Sequence, residues 1–106
     1  MTTNEPTKQQ PYVRMVIGEA VSDEAVAEFL KIWNDDAQDM QAERGFIEAR
    51  LMTEEGGRMV VTETVFATRD DCLLHHCSRA FRSLIATTQH LLIGDFVVKL
   101  FRQRVP

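Results

Sequence analysis

The Glu54–Gly57 segment constrains this chain more than any other. It separates two stretches of strand character, FIEARLMT from Phe46 to Thr53 and RMVVTETVFAT from Arg58 onward. The second is rich in Val and Thr and free of Pro and Gly. Gly56-Gly57 tolerates the positive backbone angles of a tight hairpin, so the two stretches must pair side by side and antiparallel. The alternation of the first stretch is imperfect, that of the second clean: Val60, Thr62, Thr64 and Phe66 against Val61, Glu63 and Val65.

Each side of the hairpin carries a helix and an outer strand. YVRMVIGEA, Tyr12 to Ala20, alternates Val13, Met15 and Ile17 with Tyr12, Arg14, Val16 and Gly18. Ser22 then offers an N-cap, Asp23 and Glu24 suit a first turn, and Gly45 follows the helix end. Between them Val26, Phe29, Leu30, Trp33, Ala37 and Met40 recur at steps of three and four, an amphipathic helix. Past the hairpin, Thr68 and Asp71 form a capping-box pattern that starts a second helix near Arg69. Its apolar face is expected to use Leu73, Cys77, Ala80 or Phe81, and Leu84, before a last strand from Asp95 to Arg104. The order is βαββαβ. That is the ferredoxin-like α+β arrangement, an antiparallel sheet with its helices on one face.

The chain has 106 residues, enough for one domain, here assigned to 12–106 behind a polar, Pro-containing arm at 1–11. No apolar run reaches membrane-span length, and the first residues lack the apolar core of a signal peptide, so a cytoplasmic location is expected. A formal charge of -4 argues against binding nucleic acid through its phosphates. A core this small leaves any sizeable cavity in competition with packing. The last strand is apolar on both faces, with Ile93, Phe96, Val98 and Leu100 against Val97 and Phe101. Such a strand favours a homodimer in which two sheet faces meet.

Walker loops, dinucleotide fingerprints, nucleophile elbows and HExxH patterns are all missing. DDCLLHHC resembles a metal site, but helical spacing puts Cys72 with His76 and Leu73 with Cys77, while His75 points elsewhere as an exposed residue. No metal is expected. His75, His76 and His90 are the groups whose ordinary pKa lies near neutrality. Of these, His76 and His90 are the candidates for proton transfer, His76 as either a satisfied core edge or a pocket wall and His90 at a cavity mouth. Trp33, Phe66 and Phe81 fit either a core or the walls of an aromatic pocket between helices and sheet. In the pocket reading Arg14, Arg50 or Arg79 would pair with an acidic ligand group.

GFIEARL after a Trp-bearing first helix, RMVVTETVFATRDDCLLHH and the terminal GDFVVKLFR together resemble the antibiotic-biosynthesis monooxygenase superfamily, over about residues 12–104. The resemblance implies a dimeric α+β barrel. It also implies a cofactor-independent oxygenase that converts an anthrone or phenol of polyketide type to a quinone, with related barrels acting as cyclases, isomerases or haem-degrading enzymes. Oxygenases of the family commonly carry Asn and Trp four residues apart on the third strand, where this chain has Thr62 and Phe66, and an Asn on the first strand, where it has the stretch ending at Gly18. The His of the haem-degrading branch lies later on the second helix than His75 and His76.

The expected assignment follows. His76, His90 and Thr62 carry the chemistry, and Trp33, Phe66, Phe81, Arg79 and Thr64 hold a small aromatic molecule, with no cofactor. A cyclase or isomerase of the same fold, or a non-catalytic dimeric binder, is the alternative. Convergence of Thr62, His76 and His90 on one pocket would favour catalysis, and filling of that space by Trp33 and Phe66 would favour the binder.

Overall fold

A computed structural model describes residues 10–104. The expected arm at 1–11 therefore lies almost wholly outside the described residues. Pro11, which does not, accepts a hydrogen bond from the Gln103 amide at 2.9 Å.

The elements run β1 (Tyr12–Glu19), α1 (Asp23–Met40), β2 (Phe46–Thr53), β3 (Met59–Phe66), α2 (Arg69–His76), α3 (Arg79–Thr88), a 3-10 turn (Gln89–Leu91) and β4 (Val97–Arg102). The strands form one antiparallel sheet in the order β2-β3-β1-β4. This is the expected α+β, ferredoxin-like arrangement. Among the described residues no helix is long and apolar enough to cross a membrane.

Local chemistry explains most boundaries. Ser22 accepts from the Ala25 amide at 3.0 Å and caps α1, as expected. The helix stops at Met40 rather than running on to Gly45; the chain then turns, and Gly45 takes a left-handed φ of 77°. Gly56 supplies the positive φ of the hairpin, also 77°. The imperfect alternation of β2 is a bulge between Phe46 and Glu48, which leaves Ile47 outside the ladder.

The expected single second helix is two. Ser78 breaks it, accepting from the Phe81 amide at 3.1 Å to cap α3. The break resets the helical phase. Leu73, Cys77 and Ala80 do not form the buried face; Cys72, His75, Phe81 and Leu84 do, with Cys77 and Ala80 exposed.

Register sorts the sheet into two faces. Arg14, Val16 and Gly18 of β1 and Val60, Thr62, Thr64 and Phe66 of β3 are buried beneath the helices. The core there is built from Val16, Phe29, Trp33, Val60, Phe81 and Leu84 with their neighbours. Val13, Met15, Ile17, Val61 and Val65 lie on the opposite face, which no helix covers.

Candidate functional site

Arg14 is the anomaly of the core. It has no exposed surface, and it sits in register between Thr64 of β3 and Leu100 of β4 under the helices. Its guanidinium carbon lies 3.8 Å from the centroid of the Phe81 ring and 5.8 Å from that of Phe66. Nη1 donates to Nδ1 of His75 at 3.0 Å. Arginine has only donors, so Nδ1 must present its lone pair and His75 is neutral, with its proton on Nε2. Burial first, then the neighbouring Arg14 charge and His76, push the His75 pKa down to about 4.

Burial also lowers Arg14 to about 10, against the favourable influence of Cys72 and Asp36, so it stays charged at neutral pH. Among the described residues no carboxylate stands within ion-pair distance of it. Asp36, half-buried on α1, has its own carboxyl pushed up by burial and by Asp39. The thiol of Cys72, which feels the same guanidinium, is pushed up by burial.

The polar groups around this charge are incompletely paired. Arg14 Nε and Nη2, Trp33 Nε1, Thr62 Oγ1 and His76 Nδ1 are buried without a hydrogen-bond partner among the described residues. Each such group costs about 1–3 kcal/mol when left unpaired, more when charged. Phe81 is the hub of the cluster: His76 stands 5.2 Å from it, His75 5.8 Å and Trp33 6.5 Å edge-on, between ring centroids.

Phe81 is also a wall. A cleft of about 530 Å³ opens between α3 and the β4 side of the sheet, lined by His76, Cys77, Phe81, Arg82, Ile85, Gln89, Asp95, Phe96 and Val98. His76, half-buried, is one of its walls, and burial and then Arg14 lower its pKa. The cleft is mostly apolar. A larger recess at the hairpin end is polar, lined by Glu19, Asp23, Glu54 and Arg58, and the Arg58–Asp23 ion pair at 3.1 Å already occupies its rim.

The expected residues are therefore divided. His76 and Phe81 line the cleft. Thr62, Thr64, Trp33 and Phe66 lie deeper, at most 2% exposed, in the layer between helices and sheet. His90 is exposed on the 3-10 turn and Arg79 is exposed in the first turn of α3; neither lines the cleft, where Gln89 and Arg82 stand instead. Thr62, His76 and His90 do not converge, and Trp33 and Phe66 do fill interior space, yet a cleft remains. Of the three candidate arginines, Arg14 is inside, Arg50 pairs with Glu48 and Glu63 at 3.2 and 3.6 Å, and Arg79 is on the surface. His75, read as exposed, is 5% exposed and bonded to Arg14. The signal for it was its step of three from Cys72 and four from Asp71, which puts the three on one buried face of α2.

No family model and no curated protein matches the chain. Solved structures do. A monooxygenase from Streptomyces coelicolor in complex with nanaomycin D superposes with a TM-score of 0.80 at 14% identity, covering 92% of this chain and 90% of that one. The cofactor-independent oxygenase SnoaB from Streptomyces nogalater gives 0.74 at 19% identity over 92% and 96%. A protein from Nitrosomonas europaea assigned to the antibiotic biosynthesis monooxygenases gives 0.79 at 12% identity over 100% and 98%. This chain has the fold of the antibiotic biosynthesis monooxygenases. The α+β fold implied by the residues of β2, β3 and β4 is thus the observed one. At such identities the likeness concerns the fold, and the chemistry rests on the side chains above.

Proposed function

We propose that the protein is a small enzyme of the antibiotic biosynthesis monooxygenase type, acting without a cofactor on an acidic, aromatic, polyketide-type compound such as an anthrone or phenol. One observation carries this reading: His76 lines the largely apolar cleft, and its buried Nδ1 has no partner among the described residues. Because Nδ1 is buried, a flat ligand between Phe81 and Phe96 would bring a phenolic or benzylic proton to it after a rotation of the His76 ring that turns this nitrogen to the cleft.

The first step common to this chemistry is removal of that proton to leave an enolate or phenolate. A neutral histidine can accept it. The lowered His76 pKa makes it a weak base, which suits an acidic substrate. The Arg14 charge that depresses His76 also favours the anion formed beside it, and the Thr62 hydroxyl adds a donor deeper in the layer. Molecular oxygen would then add to the carbanion to form a C–O bond and, with the proton returned, a hydroperoxide; loss of the second C–H proton breaks the O–O bond and releases the quinone and one water. His90 and Arg79 take no part in this reading, being exposed and outside the cleft.

A cyclase or isomerase shares the enolate step. Phe66, which cannot donate a hydrogen bond, and the single hydroxyl of Thr62 move some weight toward it, since both lack the amide or indole that would hold a second oxyanion; the likeness in fold to oxygenases keeps the oxygenase first. The separation of Thr62, His76 and His90, with Trp33 and Phe66 filling the interior, favours the non-catalytic binder, which keeps the cleft and loses only turnover. Incubating the protein with anthrone under air and following quinone absorbance separates these readings. Quinone above the buffer rate supports the oxygenase; conversion to an isomer of unchanged mass supports the alternative; binding with no conversion supports the binder.

The working unit in this reading is a homodimer joined through the uncovered sheet face. Val97, Phe101 and Met52 are 42–47% exposed there, a surface that a second copy would cover.

A further inference from the structure

The chain between α3 and β4 is fastened unevenly, and its least fastened part is a wall of the cleft. The first half is tied to the end of β1. Val21 donates to the Leu91 carbonyl at 2.9 Å and Ile93 to that of Glu19 at 2.7 Å, with Ala20 and Leu92 bridged between them. Leu91 and Leu92 are buried, and Leu92 lies so close over Gly18 that a Cβ there would come to 2.5 Å from its Cδ1. The sheet register resumes at Val97, opposite Ile17. Between these anchors lie Gly94, Asp95 and Phe96. They make a single hydrogen bond among the described residues, from Gln89 Nε2 to the Gly94 carbonyl at 2.8 Å. Gly94 has a φ of 73° and open space where a side chain would stand, so no packing of its own holds the turn.

That one bond reaches the cleft directly. A carbonyl only accepts, so the end of Gln89 that meets Gly94 is its amide nitrogen. Gln89, Asp95 and Phe96 all line the cleft. Phe96 is half-buried, with the Phe29 ring of the core behind it at 6.1 Å between centroids. It follows the held carbonyl by two residues, at most about 7 Å of chain. Holding Gly94 therefore holds the Phe96 ring against Phe29 and keeps the gap toward Phe81 narrow.

We propose that Gln89 is a positioning residue that fixes the Phe96 wall through the Gly94 carbonyl, and thereby limits the cleft to flat ring systems. Without the bond the link pivots at Gly94, Phe96 leaves Phe29, and thick alicyclic ligands enter as readily as flat aromatic ones. This rests on the aromatic-cleft reading of the proposed function and adds the residue that sets the shape of the ligand.

The test is calorimetric titration of the full chain at neutral pH with two uncharged amides, flat 2-naphthamide and thick 1-adamantanecarboxamide. The wild type is expected to prefer naphthamide. Gln89→Glu keeps the shape of the side chain and removes the N–H donor. It is expected to shrink that preference by about threefold to tenfold, the range of one neutral hydrogen bond. Gln89→Lys, which restores a donor, is expected to recover it. Gln89→Met, uncharged and also without a donor, must match Gln89→Glu and replaces it should that variant fail to fold. Nuclear Overhauser cross-peaks between Phe29 and Phe96, read without ligand, are expected in the wild type and Gln89→Lys and weakened in the other two. Cross-peaks unchanged by loss of the donor, or an unchanged preference, would overturn the proposal. A wild type that binds neither amide overturns the ligand reading of the cleft and the shape preference with it, while the cross-peaks still decide the positioning.

Discussion

Arg14 Nη1 and His75 Nδ1 meet at 3.0 Å beneath the helices, a cation donating to an imidazole that must remain neutral to accept it. A buried arginine is ordinarily held by a carboxylate. Here its strongest contacts are a neutral ring nitrogen and the face of Phe81. The pair joins β1 to α2, and protonating His75 would place a second positive charge against the first.

Acid should therefore unfold the protein through His75. Its folded pKa, about 4, lies below the ordinary value of 6.5. Above pH 6.5 both states are neutral there and the group has no effect on stability. Between 6.5 and about 4 the unfolded chain binds the proton and the folded one does not, so stability falls as pH falls. The loss reaches the order of 3 kcal/mol at pH 4 and below. His75→Gln retains an acceptor for Arg14 without the titration. Urea denaturation at pH 7 and pH 4 is expected to show a smaller loss in this variant. His76, Asp36 and Cys72 remain in both proteins, so the difference isolates His75. An equal acid loss in the two would count against the buried neutral pair.

If His76 is the base, His76→Gln should lower the conversion rate by about 10²–10⁴. The wild-type rate should hold level from neutral pH downward and fall only below the ordinary histidine range, because burial and Arg14 lower the His76 pKa. That acid limb should disappear in the variant. Binding of the uncharged naphthamide should be retained, which distinguishes loss of chemistry from loss of the cleft. A variant that converts substrate at the wild-type rate removes His76 from the mechanism.

The strand order and helix side were readable because a hairpin flanked by two helix-containing crossovers admits few arrangements. Two things were not readable, each for a physical reason. In β1 both alternating sets are largely apolar, so period alone does not say which one meets the helices; the set with Arg14 does, a position where charge argues for solvent. In the segment after β3 a single period runs through Leu73, Cys77 and Leu84, but the Ser78 cap cuts it; α2 then follows its own period, which buries Asp71, Cys72 and His75, and Arg79 stays outside at the start of α3. The cleft was harder still. It lies where the end of α3, the 3-10 turn and β4 meet, and irregular backbone gives His90 no periodic direction.

Gly45→Ala should cost more than Gly56→Ala, although both glycines have a φ of 77°. The backbone penalty for a non-glycine residue, about 1–2 kcal/mol, is common to both. At Gly56 an added methyl meets nothing within 4 Å. At Gly45 it meets the Asp71 side chain, which is paired with Arg44 at 3.0 Å and sits in the first turn of α2. Parallel denaturation curves of the two variants give the comparison. Equal losses would mean that Asp71 moves away freely.

The uncovered sheet face supplies the last prediction. Register arranges it in three rows across the strands: Glu48–Val65–Val13–Phe101, Arg50–Glu63–Met15–Lys99 and Met52–Val61–Ile17–Val97. Two largely apolar rows thus flank a charged one, in which Arg50 and Glu63 already pair at 3.6 Å. A two-fold axis through the middle row would lay apolar on apolar and leave the charges paired at the centre. In the isolated chain Val97 and Phe101 are each 47% exposed. Replacing both by Glu puts two charges per chain into the outer rows, so the molar mass measured by light scattering should fall from that of a dimer to that of a monomer. The far-ultraviolet circular dichroism should hold, because neither side chain faces the helices. A wild-type protein that already scatters as a monomer at high concentration would rule the dimer out.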